Sequence, residues 1–186
     1  MVRYDSPFKE FLKKILLIDY LTMEIEIQQS DFLVKFREYV DEGDIGIFSD
    51  AFEVFSSSKN EYKGHVGYNN FKIRKRKRFF DSNRNIAIAT GKLLQQGRML
   101  LIETEINGFN GIMKSFFIIA GAFYIIFMIT FLSVSFNTIG GSSFFPFTFI
   151  IIHALFMFGI PYFMMRRSVK RMKHDLEREL FYITKK

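Results

Sequence analysis

The sequence contains no cysteine. Disulfide bonds, thiolate metal sites and cysteine nucleophiles are therefore excluded, and this composition fits a reducing compartment. A second absence is charge: residues 115–165 contain no Lys, Arg, Asp or Glu, although these four residue types make up 24% of the chain. The third is a signal peptide. Charged residues interrupt the apolar stretch of residues 8–21, so we expect no cleaved leader.

Catalytic chemistry also has little basis in the sequence. The glycines form neither a dinucleotide fingerprint nor a phosphate-binding loop, and His65 has no second ligand at a metal-binding spacing. Carboxylates are paired at Glu24 and Glu26 and again at Glu103 and Glu105. Strand alternation places each pair on one solvated face, whereas acid–base catalysis needs two carboxylates in different environments within a pocket. We therefore expect no enzymatic activity, no catalytic residue, no metal and no cofactor.

The charge-free block divides into two apolar stretches, residues 115–136 and 144–165, of 22 residues each. As an α-helix, each stretch would extend about 33 Å, which is enough to cross a hydrocarbon core of about 30 Å. Neither stretch has the polar side that a core helix of a small soluble domain shows. A short, uncharged linker joins the two stretches. The sequence therefore predicts an antiparallel transmembrane hairpin over residues 115–165.

Basic residues flank this hairpin on one side only. Lys114 precedes the first stretch, and no charge lies near Gly140 and Gly141 in the linker. The residues that follow the second stretch include Arg166, Arg167, Lys170 and Arg171. The positive-inside rule then places both termini in the cytoplasm. We expect a multi-pass protein of the bacterial inner (cytoplasmic) membrane.

Most of the excess positive charge lies at the membrane edge. Residues 1–113 carry 17 basic and 16 acidic side chains, whereas residues 166–186 carry 8 basic and 3 acidic ones. Anionic lipid headgroups attract basic residues at this position. We expect Arg166, Arg167, Lys170 and Arg171 to contact them.

Residues 1–110 predict a cytosolic α+β domain with an antiparallel sheet and one or two helices packed on a face. Ser6 and Pro7 have the chemistry of a helix start, a hydroxyl cap followed by proline. The apolar face of this first helix would pack on the sheet or lie in the lipid interface. A strand with strict alternation follows at residues 20–28.

A second helix is expected to begin at Ser30 and to end at Gly43. Residues 51–57 are interpreted as another strand. From Tyr62 onward, turn residues separate four further strand segments, which predicts an antiparallel meander. These segments are residues 62–67, 71–80, 86–94 and 98–106.

One pattern within the meander is similar to that of a known group of proteins. The pattern is Y-x-G-x-V-x-x-x-x-F-K-I, carried by Tyr62, Gly64, Val66, Phe71, Lys72 and Ile73. It is followed by a turn, an I-x-x-G strand and a hydrophobic hairpin. Together these features resemble small, uncharacterised bacterial membrane proteins with an N-terminal cytosolic α+β domain and two C-terminal transmembrane helices. The resemblance covers residues 20–165 and implies an architecture, without an activity.

Residues 166–186 predict a cytosolic amphipathic helical tail that continues the second span. Its apolar residues recur at helical spacing at Val169, Met172, Leu176, Leu180 and Ile183. This stripe would pack on the sheet domain or pair with another subunit.

His153 lies ten residues into the second apolar stretch, near the middle of a membrane. Ionisable residues at this depth are costly and are functional candidates. In an antiparallel hairpin, Tyr124 and Thr130 lie within about one turn of the level of His153. Either residue could form a hydrogen bond with the imidazole. The alternatives are a satisfied neutral histidine and a proton-linked or pore-lining residue.

The run FKIRKRKRFF places six Lys or Arg residues in seven positions. As a strand, it would present Lys72, Arg74, Arg76 and Arg78 on one face. Headgroup contact is favoured over pairing with acidic residues, six of which lie between Asp41 and Glu61. Nucleic-acid binding is the weakest alternative, because the domain is nearly neutral and held at a membrane.

These observations predict a non-enzymatic, membrane-anchored module that binds anionic lipid headgroups or a protein partner and acts as an accessory or regulatory subunit. The alternative is a homo-oligomeric pore or small transporter, with His153 near the conduction path. The expected partners of the protein are the lipid bilayer and either another protein or further copies of the same chain. Nucleic acid is not expected.

Overall fold

The computed structural model describes residues 6–46, 60–76, 86–138 and 144–185. For residues 132, 134–138, 144–146, 184 and 185 it describes the backbone alone. The chain forms two compact units. The first comprises Met1–Asn110 together with Met164–Lys186, and the second comprises Gly111–Phe163.

The first unit is built on a six-stranded, mostly antiparallel sheet with the strand order β1-β6-β5-β4-β3-β2. The strands are β1 Ile18–Glu26, β2 Val40–Glu42, β3 Tyr62–Val66, β4 Asn70–Lys75, β5 Ile88–Gln96 and β6 Met99–Asn107. Only β2 and β3 run parallel among these strands. Helices α1 (Pro7–Lys14) and α2 (Gln29–Glu38) precede and follow β1. An α+β unit at the N-terminal side is thus confirmed.

Alternate residues of every strand point to one face of the sheet, which we call the inner face. Phe71 and Ile73 of β4 and Leu100 and Ile102 of β6 are fully buried there. Helix α2 covers part of this face, where the ring of Phe36 contacts that of Phe71 edge to face at 5.1 Å. The hydrophobic core of the first unit therefore lies between the inner face and the helices packed on it.

The second helix on the inner face comes from the far end of the chain. Helix α4 runs without a break over Phe144–Lys185, and its C-terminal part belongs to the first unit. The apolar stripe of this part lies in the same core cluster as the strands: Val169, Met172, Leu176, Leu180 and Ile183. Of the two alternatives for the tail, the structure shows packing on the sheet.

Helix α1 lies on the opposite, outer face of the sheet. Ser6 accepts a hydrogen bond from the Lys9 backbone N–H at 3.3 Å and so caps the helix as predicted. Lys9 also forms an ion pair with Glu105 of β6 at 2.7 Å, and Leu12 is buried. The exposed rings of Phe8 and Phe11 leave this helix only partly covered by protein.

Two boundaries and one strand differ from the sequence-based expectations. Helix α2 begins at Gln29 and not at Ser30, and it ends at Glu38, before Gly43. Residues 40–42 form β2, a strand that the sequence pattern did not indicate. The strand expected at residues 51–57 lies outside the described residues.

The second unit consists of α3 (Gly111–Thr138) and the N-terminal part of α4. Within it, Phe117 of α3 stacks on Phe158 of α4 at a ring distance of 5.8 Å. Among the described residues, two helices are long and apolar enough to cross a membrane by length and composition, with stretches at Gly111–Phe131 and Phe147–Ile183.

Candidate functional site

Three basic side chains at the start of the C-terminal part of α4 are exposed on one helix face. These residues, Arg166, Arg167 and Lys170, are spaced by three and four positions, which brings neighbouring side chains together on a helix. We call them the basic face. None of the three forms an ion pair with another described residue. Their charges are therefore available to an external anionic group.

The other basic residues of this segment are in different surroundings. Lys173 Nζ lies 3.0 Å from both carboxylate oxygens of Asp19. Arg178 pairs with its neighbour Glu179 at 3.3 Å. Arg171, which the sequence grouped with the basic face, is half-buried. The predicted headgroup contacts in α4 are thus exposed at three positions and only partly exposed at the fourth.

Polar contacts on the opposite side of α4 fix the orientation of the basic face. Ser168 is buried, and its hydroxyl oxygen accepts hydrogen bonds from the backbone N–H groups of Ile86 (2.9 Å) and Ala87 (2.8 Å). Farther along, Asp175 accepts from Lys75 of β4 at 2.7 Å. Because these bonds and the apolar stripe hold one side of the helix on the sheet, the basic face points away from it.

The described residues of the basic run, 72–76, do not form one continuous basic surface. Lys72 is exposed, but Arg74 and Arg76 on the same strand face are only 5% and 8% exposed. The Arg76 guanidinium is bound to Asp41, an acid from the stretch upstream. Side chains enclosed to this degree do not present their charge to a lipid surface. Arg78 lies outside the described residues.

Tyr62 and Lys75 are paired across β3 and β4, close to the carboxylate of Asp175. Burial, together with the negative charges of Asp175, Glu179 and Glu61, raises the pKa of Tyr62 well above its ordinary value. Burial alone would lower the pKa of Lys75, but the hydrogen bond and charge of Asp175, with a contribution from Glu61, raise it overall. Both groups therefore keep their protons in the folded unit.

In the second unit, the Tyr124 hydroxyl is hydrogen-bonded to His153 Nδ1. Tyr124 is on α3 and His153 is on α4, at the levels that the antiparallel hairpin predicts. Thr130, the other expected partner, instead donates to the backbone carbonyl of Ile126 in its own helix at 2.9 Å. The structure thus brings two of the three predicted intramembrane polar residues together.

The Tyr124–His153 pair lines a recess of about 200 Å³ on the surface of the second unit. Its other walls are aromatic or aliphatic and come from both helices: Phe123, Phe127, Phe149 and Ile150. The sequence pointed to the pair through the rarity of histidine in an apolar stretch. It did not indicate the aromatic walls, because phenylalanine is common throughout both stretches.

The remaining titratable groups singled out in the sequence do not converge. His65 Nδ1 lies 2.5 Å from Glu42 at the exposed β2–β3 edge. Glu24 and Glu103 are exposed on neighbouring strands. Within the described parts of the chain, no group of three or more His, Asp or Glu side chains is placed to hold a metal ion.

Comparison of the chain with protein-family models, with curated proteins and with solved structures found no match.

Proposed function

We propose that the protein is a two-span integral protein of the bacterial cytoplasmic membrane, with both termini in the cytoplasm. Its first unit is a non-enzymatic module that contacts anionic lipid headgroups through the basic face of α4. The same module would also bind a protein partner, and the chain would then act as an accessory or regulatory subunit of that partner. The observation that carries the proposal is the basic face itself, which is exposed, free of ion pairs to described residues and directly adjacent to the apolar stretch.

The surface of the second unit supports the membrane assignment. In each of the two candidate spans, only 6% of the most apolar window is buried within the protein. A core helix of a soluble protein would be mostly covered. Contiguous apolar surface of this extent is unusual on soluble monomers and is typical of surfaces that contact lipid or another protein.

The change of environment along α4 supports a position of the basic face at the membrane edge. Before Met164 the helix contains no Lys, Arg, Asp or Glu, and after Met165 its exposed side chains are mainly charged. A basic residue near an anionic bilayer surface gains about 1 kcal/mol. Three such residues on one helix face would give a preference for anionic over neutral lipid. This preference would fall as salt is raised, since exposed charges are screened over about 10 Å at ordinary ionic strength.

The test compares lipids that differ in headgroup charge. Full-length protein in neutral detergent is titrated with short-chain phosphatidylglycerol or phosphatidylcholine, and bound lipid is counted by native mass spectrometry. We expect a preference for phosphatidylglycerol that falls as salt is raised. The triple substitution Arg166→Gln, Arg167→Gln and Lys170→Gln should remove most of this preference.

A matched control uses basic residues at another place in the same unit. Lys92 is exposed in the middle of β5, and Arg98 lies in the exposed β5–β6 turn, at the end of β6 farthest from the junction with α3. Replacing both with Gln should leave the preference intact. An equal loss in the triple and control variants, or no preference in the wild type, would refute headgroup recognition by the basic face.

The second candidate function is a homo-oligomeric pore. It is favoured by the exposed position of His153 on the surface of the second unit, where a further copy could contact it. Two helices alone cannot enclose a channel, so this function requires a stable oligomer. Liposome conductance that changes in a His153→Phe variant would support it, and a monomer without conductance would exclude it.

A further inference from the structure

The recess has two aromatic walls with a polar pair between them. On α3, the rings of Phe123 and Phe127 are stacked at 6.3 Å, and on α4 the Phe149 ring is stacked with His153 at 6.1 Å. Phe123 and Phe149 remain 60% and 63% exposed. Aromatic rings that face an open recess offer flat surfaces on which another ring can stack.

Counting protons shows that the Tyr124–His153 pair has a donor left over. A neutral imidazole carries one N–H and one acceptor nitrogen, and a tyrosine hydroxyl carries one O–H. The single hydrogen bond between them uses one donor, whichever tautomer is present. Either Nε2–H of His153 or the O–H of Tyr124 is then left, and among the described residues neither group has a second hydrogen-bond partner.

The depth of the pair makes it unfavourable to leave this hydrogen-bond donor without a partner. This cost rests on the proposed membrane insertion, because it applies when the apolar stretches are spans. His153 lies ten residues into its stretch, where the surroundings are hydrocarbon. A polar group without a partner in such an environment loses its hydrogen bonds to water and gains none in return. An acceptor that reaches this depth would therefore be bound with a clear preference over hydrocarbon.

We infer that the recess binds a planar, lipophilic carbonyl compound of the quinone class. Its carbonyl oxygen would accept the remaining hydrogen bond of the pair, and its ring would lie between the aromatic walls. The volume is adequate for such a ring, since a cavity of about 150 Å³ in another protein accommodates benzene. A phospholipid does not meet the requirement, because its acyl chains carry no acceptor and its ester carbonyls lie near the interface.

The test compares two ring systems of nearly the same shape, one of which has carbonyl groups. Menadione and methylnaphthalene are equilibrated with the full-length protein in detergent micelles, and bound ligand is measured by equilibrium dialysis against empty micelles. Because the chain has no cysteine, menadione cannot form a thiol adduct. We expect saturable binding of menadione that is roughly fivefold tighter than that of methylnaphthalene, the effect of one net hydrogen bond.

Variants test whether the Tyr124–His153 pair supplies the hydrogen bond, without changing the number of rings in the site. Tyr124→Phe alone and His153→Phe alone each leave one hydrogen-bond donor and should reduce the carbonyl preference only in part. The double variant leaves none and should bind the two compounds equally. Thr130→Val is the control, because its hydroxyl is used within α3, and it should keep the full preference.

Three outcomes would overturn the inference. They are the absence of saturable menadione binding to the wild type, equal affinity of the wild type for both compounds, and a preference that survives in the double variant. If the double variant does not fold, the affinities of the wild type for menadione and methylnaphthalene still test the inference. If carbonyl-selective binding is absent but membrane insertion and the headgroup preference are observed, the further inference is wrong and the proposed function is unaffected. Failure of insertion would remove the basis of both.

Discussion

Lys75 of β4 and Asp175 of α4 are a hundred positions apart in the sequence, and their side chains meet at 2.7 Å. Lys173, two residues before Asp175, binds Asp19 of β1. One helix is thereby tied to two non-adjacent strands of the same sheet. The same helix contains the second apolar stretch, so the segment that completes the core of the first unit is covalently continuous with a candidate span.

The first prediction concerns alkaline pH. In the folded unit the pKa values of Lys75 and Tyr62 are both raised, and in the unfolded chain they are about 10.4 and 10. The folded state therefore binds these protons more tightly, and stability falls as pH rises above about 10. The thermal midpoint of the full-length protein in detergent, measured by circular dichroism from about pH 8 to pH 11, should fall accordingly.

The double variant Lys75→Met with Tyr62→Phe should show a flatter alkaline profile, although it starts from a lower midpoint at neutral pH. Lys92→Met is the matched control, because Lys92 is exposed on β5, and its profile should parallel that of the wild type. An alkaline decline in the double variant as steep as in the wild type would show that other groups cause it.

A second prediction tests whether the end of α4 is part of the core. Leu176 is 0% exposed, whereas Leu155 on the same helix is 68% exposed. Leu176→Ala should lower the free energy of unfolding by about 2–5 kcal/mol through lost burial and a cavity. Leu155→Ala removes the same atoms from an exposed site and should change it by less than about 1 kcal/mol. Equal effects in urea denaturation would contradict the packing described.

A third prediction concerns the close approach of Phe71 to Gly91 across β4 and β5. A Cβ atom built on Gly91 would lie 2.1 Å from Phe71 Cζ, and the ring itself is buried. Gly91→Ala should therefore destabilise the unit by about 1–3 kcal/mol through overpacking. Adding Phe71→Leu should recover part of the loss, which a double-mutant cycle would measure as a non-additive term. Additive losses would show that the ring does not cause the effect.

Local sequence signals were sufficient where the determining interactions are local. The Ser6 cap and the alternation of β1 and β6 depend on residues within a few positions, and the structure shows them as predicted. The helical spacing from Val169 to Ile183 predicted an apolar stripe for the same reason. Its two possible partners could not be separated from sequence, because the answer depends on contacts with strands over sixty positions away.

The failures have tertiary causes. Helix α2 begins at Gln29 because two tertiary hydrogen bonds hold this residue. The Gln29 side-chain amide donates to the Tyr68 carbonyl at 2.6 Å, and the Gln29 backbone N–H donates to Gln95 Oε1 at 2.8 Å. The three residues of β2 are too few to show a periodicity, and their pairing with β3 fixes them. For Arg76, headgroup contact was favoured over pairing with an upstream acidic residue, but β2 brings Asp41 close and its carboxylate binds the guanidinium.

The central claim is that the two apolar stretches cross a membrane with both termini on the cytoplasmic side. The natural absence of cysteine allows a direct test by single-cysteine labelling in intact bacterial cells. The account predicts that Gly141→Cys reacts with a membrane-impermeant maleimide from outside, and that Arg98→Cys reacts only after the membrane is permeabilised. Labelling of Arg98→Cys in intact cells, or protection of Gly141→Cys until permeabilisation, would contradict it.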